Sequence, residues 1–331
     1  MKKFWVGNLI ILVLVVGFIL WYNASQKSEP PTTSQPIRIG LNPWIGHGEY
    51  YIAKEKGFFG AEKVNVELVS FDDNATGKQL INTNKIDAIS FTPETIIVLN
   101  DAGVKVKAVA ITDSSQGADG IVASKDIKDI SGLKGKKVAF EVGSPSHFFL
   151  SYFLDQNRLT TNDLTVVNEI APDAGATFVA GKVDAAVTWE PWLSKASERE
   201  GGHLLISSKQ MQVFPDYLIF REEVVKNRPQ DIKAVLKALF AAEQWISENQ
   251  NEAVGIIANK FKITDQEVKD QLPTFSWLSY EDNLSLFVPE NSPAQKLVQT
   301  ASDLWLKLGL IKTKVGADEL IDTSLVKNLY K

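Results

Sequence analysis

The sequence predicts an α/β fold with two lobes, each built on a mostly parallel sheet that helices cover on both faces. From Ile37 to about Arg221, short apolar segments typical of buried strands alternate with amphipathic segments typical of helices. In addition, two stretches roughly one hundred residues apart, NKIDAISFTPET and GKVDAAVTWEPW, repeat one strand–turn–helix pattern. Ligands of parallel sheets sit at the carboxyl ends of strands, so two such ends indicate two lobes that face each other across a cleft.

The first lobe begins with the strand IRIGL and the amphipathic helix GEYYIAKEKGFF, which Gly57 ends. The strand VNVELVSF, the helix ATGKQLINT and the strand DAISF follow. Next comes TPETIIVLNDAG, a helix capped by Thr92 with Pro93 in its first turn, and then the strand VKVKAVAIT.

The second lobe repeats the alternation with its own apolar segments. Its predicted strands are GIVASK, KKVAFEV, TVVNEI, DAAVTW and LLISS, and its helices are SPSHFFLSYFLDQN, DAGATFVAG and a segment from EPWLSKAS onward. The strand YLIFREEVV then leads into a C-terminal third that is nearly all helix. This third contains DIKAVLKALFAAEQWISENQ, NEAVGIIANKF, TDQEVKDQL and PAQKLVQTASDLWLKLGLI.

Residues 1–36 are predicted to lie outside the fold. Lys2 and Lys3 precede an apolar run from Trp5 to Tyr22, and a polar, Pro-bearing stretch follows it. This order is that of an export signal, and the run is also long enough to span a bilayer. The sequence leaves open whether the segment is cleaved or retained as a membrane tether through residues 4–22. Either outcome places the rest of the chain in the periplasm or on the outer face of the cytoplasmic membrane.

Composition excludes several classes of function. The net charge is −5 and no block of Lys or Arg occurs, so no nucleic-acid partner is predicted. The chain has no cysteine, which excludes disulfides, thiolate metal sites and a cysteine nucleophile. Its three histidines are spread along the sequence without metal-ligand spacing, so neither a metal nor a cofactor is predicted.

Four motifs resemble those of the nitrate/sulfonate/taurine family of periplasmic solute-binding proteins of ABC importers. They are NPWIGHGEYYIAKEKGFF, KIDAISFTPET, GLKGKKVAFEVGSPSHFFL and GKVDAAVTWEPWLSKA, in the same order and with similar gaps. The resemblance covers Ile37 to Lys331 and implies a type II periplasmic binding protein fold with a hinge of two crossovers. It implies lobe one from residues 37–115 and 215–331, lobe two from residues 116–214, and a monomer that closes on a small molecule.

Candidate ligand-binding residues lie in the loops that follow strands, both by the strand-end rule and by the resemblance. They are Trp44, His47, Thr92, Glu94 and Asp113 in lobe one, Asp119, Ser144, Ser146, Trp189 and Glu190 in lobe two, and Asp216 near the return crossing.

Each candidate also has a purely structural interpretation. Ser144 before Pro145 is a common helix N-cap, and Glu94 and Glu190 in the first turns of helices favour the helix dipole without any ligand. A tryptophan such as Trp189 commonly packs in a core.

The ligand class follows from the charges among the candidates. Five are carboxylates and none is Lys or Arg, so an anion would face unpaired like charge. A flat cation between aromatic faces, with carboxylates accepting its N–H groups, satisfies both features. The aromatic candidates are Trp44, Phe91 and Trp189, with Phe214 or Trp277 as further options. Guanidinium fits best, and one branch of the family resembles importers of guanidine or urea-related compounds. Helix N-termini with Ser caps keep nitrate or a sulfonate open as alternatives, and a pyrimidine precursor of thiamine is the third.

The expected mechanism is binding alone, without catalysis. Lobe two closes over a ligand held by lobe one, and the closed form docks on a membrane permease driven by a cytoplasmic ATPase. Ser146 and His147 are neighbours in sequence and point to different faces of a helix, so they form no nucleophile–base pair. A membrane-tethered sensory domain is the alternative that a retained anchor would favour.

Overall fold

The computed structural model describes residues 35–211 and 213–331. The predicted export segment and the tether through residues 4–22 lie outside these residues. Within the described ranges, no helix is long and apolar enough to cross a bilayer.

The described strands form two sheets. They are β1 Ile37–Leu41, β2 Val66–Ser70, β3 Ala88–Phe91, β4 Val106–Ser115, β5 Asp119–Ser124, β6 Lys137–Phe140, β7 Thr165–Asn168, β8 Ala185–Trp189, β9 Gly202–Ser207, β10 Pro215–Arg221 and β11 Phe275–Trp277. The first sheet has the order β11-β4-β10-β3-β1-β2, and the second has the order β7-β6-β8-β5-β9.

The helices flank both sheets. They are α1 Gly48–Glu55, α2 Phe58–Ala61, α3 Asn74–Asn82, α4 Pro93–Asp101, α5 Pro145–Gln156, α6 Ala171–Val179, α7 Trp192–Ser197, α8 Glu222–Asn227, α9 Pro229–Glu248, α10 Gln250–Phe261, α11 Asp265–Gln271, α12 Tyr280–Leu286, α13 Pro293–Lys307, α14 Ala317–Leu320 and α15 Ser324–Lys327. The predicted α/β class with two helix-flanked sheets is confirmed.

The predicted mostly parallel sheets are confirmed, and each also contains reversed strands: β10 and β11 in the first sheet and β5 in the second. β1 pairs in parallel with β2 and β3, and β6 pairs in parallel with β7 and β8. The pairs that involve β5, β10 or β11 are antiparallel. β5 and β10 follow directly on the passages between the sheets and enter each sheet in the reverse direction, which the alternation of apolar segments does not reveal.

The strands of the repeated motif are buried on both faces, as their continuous apolar sequence predicts. All four residues of β3 are buried, as are the first four of β8. Thr92 occupies the N-cap position of α4, yet its hydroxyl donates to the Glu94 carboxylate at 2.8 Å and caps no backbone N–H group. Thr92 therefore holds the predicted N-cap position, but its hydroxyl bonds the Glu94 side chain instead of a backbone N–H group.

The chain passes between the sheets twice, at residues 116–118 and 208–214. Two serine hydroxyls join these passages: Ser115 Oγ and Ser208 Oγ lie 2.7 Å apart, and Ser208 Oγ also accepts the Gly117 N–H group at 2.7 Å. Ser115 Oγ in turn accepts the Asp119 N–H group at 3.1 Å. The two passages are thus tied together beside the start of β5.

Aromatic packing joins helix α5 of the second sheet to α13 near the C-terminus. Phe148 contacts Trp305 edge-on at 5.9 Å between ring centroids, and it stacks on Phe214 at 6.2 Å. Phe149 also packs on Phe214, at 5.7 Å. This cluster places an apolar core beside one of the passages between the sheets.

Two elements in the C-terminal half differ from the sequence prediction. The segment YLIFREEVV is a strand only as far as Arg221, because EEVVKN forms helix α8. The short strand β11 interrupts the predicted helical third and pairs with β4. Its three residues are too few to show a period of two.

Candidate functional site

A small cavity lies where the strand ends of both sheets meet. It offers a volume of about 30 Å³ to the centres of water-sized groups. Its lining residues are Asn42, Trp44, Phe91, Thr92, Asp113, Ser115, Asp119, Pro145, Trp189, Phe214 and Asp216. The lining therefore draws on both sheets, as expected for a ligand site at strand ends.

Two carboxyl groups lie side by side because their strands pair. Asp113 on β4 and Asp216 on β10 are directly opposite each other in an antiparallel register. Burial raises the pKa of Asp113 to about 7, with a further rise from the charge of Asp216. Burial, together with the charge of Glu94, raises the pKa of Asp216 to about 8. At neutral pH the pair therefore holds at least one proton, as expected for like charges in contact.

His47 fixes the position of that proton. Its Nδ1 lies 3.2 Å from the backbone carbonyl oxygen of Asn42, which only accepts, so Nδ1 carries a hydrogen. Its Nε2 lies 3.1 Å from Oδ2 of Asp216. Burial lowers the pKa of His47 despite the nearby charge of Asp113. We therefore assign a neutral imidazole whose Nε2 accepts the proton of the Asp216 carboxyl.

The histidines show no metal-ligand spacing in the sequence, yet His47 belongs to a cluster of possible ligand atoms in space. One ligand atom from each of His47, Asp113 and Asp216 lies within 4.8 Å of the other two. The three residues come from β4, from the start of β10 and from the segment after β1, so their sequence spacing could not show the cluster.

Trp44 holds the second carboxylate in place. Its Nε1 donates to Oδ1 of Asp113 at 2.9 Å. The indole fits only because residue 46 is a glycine: a Cβ atom on Gly46 would lie 2.2 Å from Trp44 Nε1 and 2.8 Å from Asp113 Oδ1. The carbonyl oxygen of Gly46 accepts Nε1–H of Trp277 at 2.6 Å. The loop after β1 is therefore fixed by two tryptophans.

The second sheet contributes one carboxylate and one aromatic wall. Asp119 and Trp189 are directly opposite each other on β5 and β8. Burial raises the pKa of Asp119 to about 7, and the charges of Asp216 and Asp113 add to that rise. Trp189 contacts Trp44 edge to face, with 6.0 Å between ring centroids. Aromatic rings from both sheets thus face the same small space as three carboxyl groups.

Several predicted site residues do not line the cavity. The buried Oε1 of Glu94 accepts the hydroxyls of Thr92 and Thr95, and Glu190 accepts the N–H and hydroxyl groups of Ser194 at 3.2 and 2.7 Å. Both carboxylates therefore accept hydrogen bonds from hydroxyl or N–H groups at the starts of their own helices.

The hydroxyls in the first turn of α5 also have local roles. Ser144 caps α5 by accepting the His147 N–H group at 3.4 Å, and its hydroxyl donates to the carbonyl oxygen of Glu141 at 2.7 Å. Ser146 is buried one residue further along. Neither serine lines the cavity, so the structural interpretation of Ser144 as an N-cap describes its contacts.

Sequence reasoning missed three lining residues: Asn42, Ser115 and Pro145. Asn42 is the first residue of a recognised motif, but its contact with His47 is made by its backbone carbonyl oxygen, which carries no sequence signal. Ser115 ends β4, and the sequence indicates only a passage between lobes at this point. Pro145 was interpreted solely as the first residue of a helix.

Comparisons with known proteins agree with this architecture. Residues 29–258 match the model of the NMT1-like family. An aliphatic sulfonates-binding protein of Bacillus subtilis is 26% identical over 334 residues, covering 99% of this chain and 96% of that protein. The periplasmic aliphatic sulphonate binding protein SsuA from Escherichia coli has a TM-score of 0.73 at 22% identity, over 89% of this chain and all of that one.

The periplasmic nitrate-binding protein NrtA from Synechocystis PCC 6803 has a similar fold. Its TM-score is 0.72 at 16% identity, over 90% of this chain and 88% of that one. These likenesses show a periplasmic binding protein fold, and the family match covers well over half of the sequence. The chain therefore belongs to the NMT1-like family and, as its motifs predicted, to the nitrate/sulfonate/taurine group of solute-binding proteins.

Proposed function

We propose that this protein is the extracytoplasmic solute-binding component of an ABC importer and that its ligand is a small planar cation, guanidinium first. The observation that carries the proposal is the lining of the cavity. Asp113, Asp119 and Asp216 face it, and within the described ranges none of its lining residues is Lys or Arg.

The raised pKa values of the three carboxyl groups indicate that the site lacks compensating positive charge. Each of the three carboxyl groups holds its proton more tightly than in water because burial and neighbouring carboxylates disfavour the charged form. A bound cation would reverse both effects by supplying the missing opposite charge. An anion would instead require the carboxyl groups to stay protonated and to donate to it.

Size and shape favour a ligand of very few atoms. A volume of about 30 Å³ holds roughly two to three water-sized centres. Guanidinium has only four non-hydrogen atoms, and its flat face can stack on one of the two rings, Trp44 or Trp189, which meet at right angles. Its N–H groups can donate in pairs to carboxylates. A hydroxymethylpyrimidine or a long-chain sulfonate needs more space than this form of the cavity provides.

Small anions are the second candidate, because relatives carry the names of sulfonate- and nitrate-binding proteins. Nitrate is flat like guanidinium and has the same number of non-hydrogen atoms. The decisive difference between the two is the charge. A divalent metal ion is a further cation to test, since His47, Asp113 and Asp216 converge.

The proposed mechanism is capture by closure. Residues 37–115 with 215–331 would form one lobe and residues 116–214 the other, with the two passages as hinge. The closed form would dock, as a monomer, on a permease driven by a cytoplasmic ATPase, outside the cytoplasmic membrane. No catalytic role is proposed. If the N-terminal segment is retained, a tethered sensory domain is the competing role.

Calorimetric titration of residues 36–331 tests the proposal. The ligands are guanidinium, urea, nitrate, taurine, hydroxymethylpyrimidine and Zn²⁺, each at the same ionic strength. We expect saturable one-to-one binding of guanidinium, at least tenfold weaker binding to Asp119→Asn, and no change for Asp126→Asn, an exposed carboxylate paired with Lys136. Binding of nitrate or taurine without binding of guanidinium would overturn the cation proposal and keep the transport role.

A further inference from the structure

Lys78 on helix α3 contacts the loop between β6 and α5, which belongs to the second sheet. Its Nζ donates to the backbone carbonyl oxygen of Gly143 at 2.5 Å. One turn earlier on the same helix, Asn74 donates its backbone N–H group to Glu141 at 3.3 Å and its side-chain amide to the same carboxylate. Helix α3 packs with strands β1 and β3 of the first sheet. These contacts therefore bridge the two halves at a place that does not line the cavity.

A second acceptor for Lys78 lies on its own side of that boundary. Glu94 starts helix α4, which also packs against α3, and its side chain is fully buried. Its Oε1 accepts two hydroxyls, whereas its Oε2 has no hydrogen-bond partner among the described residues. Lys78 and Glu94 are within electrostatic reach, since the charge of Lys78 opposes the rise that burial causes in the pKa of Glu94.

A buried carboxylate oxygen without a partner is costly, and a half-buried ammonium group needs acceptors. Two positions of the ammonium group meet these conditions in part: Lys78 has an acceptor in both, and the Glu94 oxygen gains a partner in the second. When the halves are together, the Gly143 carbonyl and the Glu141 carboxylate face Lys78 from the second sheet. When they separate, those acceptors leave and the free Oε2 of Glu94 is the nearest acceptor described on the first half.

We propose that Lys78 is an interlobe latch that exchanges partners: in the closed form it binds the Gly143 carbonyl oxygen near the Glu141 carboxylate, and in the open form it binds Glu94. The inference rests on the proposed closure of the cleft, but it does not depend on which solute binds. Two alternative sets of acceptors for one ammonium group give the two-state element that such closure requires. Glu94, predicted from sequence to contact ligand, acts in this scheme on the open–closed equilibrium.

The test measures opening directly, without ligand. The chain has no cysteine, so spin labels attach only to cysteines that are introduced. Asn82→Cys at the end of α3 and Lys182→Cys in the loop between α6 and β8 introduce them at two exposed positions. Pulsed electron resonance on the purified protein then reports the ratio of open to closed molecules. We expect Glu94→Gln to favour the closed form by about fivefold, because it removes the partner of the open form.

The opposite change tests the other half of the exchange. Glu141→Gln removes a partner of the closed form and should favour the open form. In a Lys78→Met background, Glu94→Gln should have no further effect. Glu62→Gln, an exposed carboxylate on the same half, is the matched control and should leave the ratio unchanged. Thermal unfolding of each variant checks that the fold is retained.

Three results would overturn the latch: no shift in Glu94→Gln, a shift of both glutamine variants in the same direction, or an effect of Glu94→Gln that persists without Lys78. Failure of guanidinium to bind would touch none of these measurements. A wrong ligand and a wrong latch are therefore separable.

Discussion

Raising the pH from 6 to 8.5 should tighten the binding of guanidinium at least tenfold. Guanidinium keeps its charge over this range, so only the protein titrates. With a pKa of about 7, Asp113 is roughly one-tenth ionised at pH 6 and almost fully ionised at pH 8.5, which gives about a tenfold gain for one carboxylate. Asp119, with a pKa also of about 7, would add a similar factor if binding of the cation displaces its proton as well.

The sign of this effect separates the two ligand classes. A cation binds the ionised form, so binding releases protons, and the affinity rises with pH. An anion binds the protonated form, so binding takes up protons, and the affinity falls over the same range. Isothermal calorimetry at pH 6.5 in buffers with different ionisation enthalpies counts the protons, and we expect about one released per guanidinium. An affinity that is flat with pH, with no proton exchanged, would refute the assignment of Asp113 and Asp119 as the ligand carboxylates.

Three further predictions follow from named contacts. Gly46→Ala should weaken cation binding roughly 10- to 100-fold without unfolding the protein, because its Cβ displaces the Trp44 indole from Asp113; calorimetry and circular dichroism measure the two effects. The ligand-free protein should lose stability as pH rises from 5 to 8.5, since the folded state holds protons on Asp113 and Asp216 that an unfolded chain releases near pH 4. Asp113 accounts for roughly 3 kcal/mol of this loss, and urea unfolding of Asp216→Asn should show a flatter dependence. Trp305→Ala should cost about 3–5 kcal/mol in urea unfolding, because the ring is fully buried against Phe148; a cost below about 1 kcal/mol would contradict the packing.

Much of the fold could be predicted because its signals are local. The alternation of apolar runs with amphipathic segments gives β1 through β9, and Ser144 before Pro145 marks the start of α5. Strand direction is not local. β10 has the same apolar character as β3, yet it runs antiparallel to it, and only the path between the sheets decides this.

The candidate site shows the same limit. Asp113, Asp119 and Asp216 could be proposed because each stands at an end of an apolar strand. Their pairing across strands, the tautomer of His47 and the cluster that these groups form depend on register, which the sequence does not state. Glu190 also lies at a strand end, but its carboxylate accepts the hydroxyl of Ser194 one turn later. The sequence alone does not decide between this capping role and contact with a ligand.

The two serines between the sheets have a mechanical consequence. Ser115 Oγ accepts the backbone N–H group of Asp119 and is itself bonded to Ser208, so one hydroxyl belongs both to the pivot and to the cavity wall. A rotation that moves one passage relative to the other must stretch this bond or carry Asp119 with it. In the proposed closure, the hold on a solute and the angle between the halves would therefore depend on the same atoms.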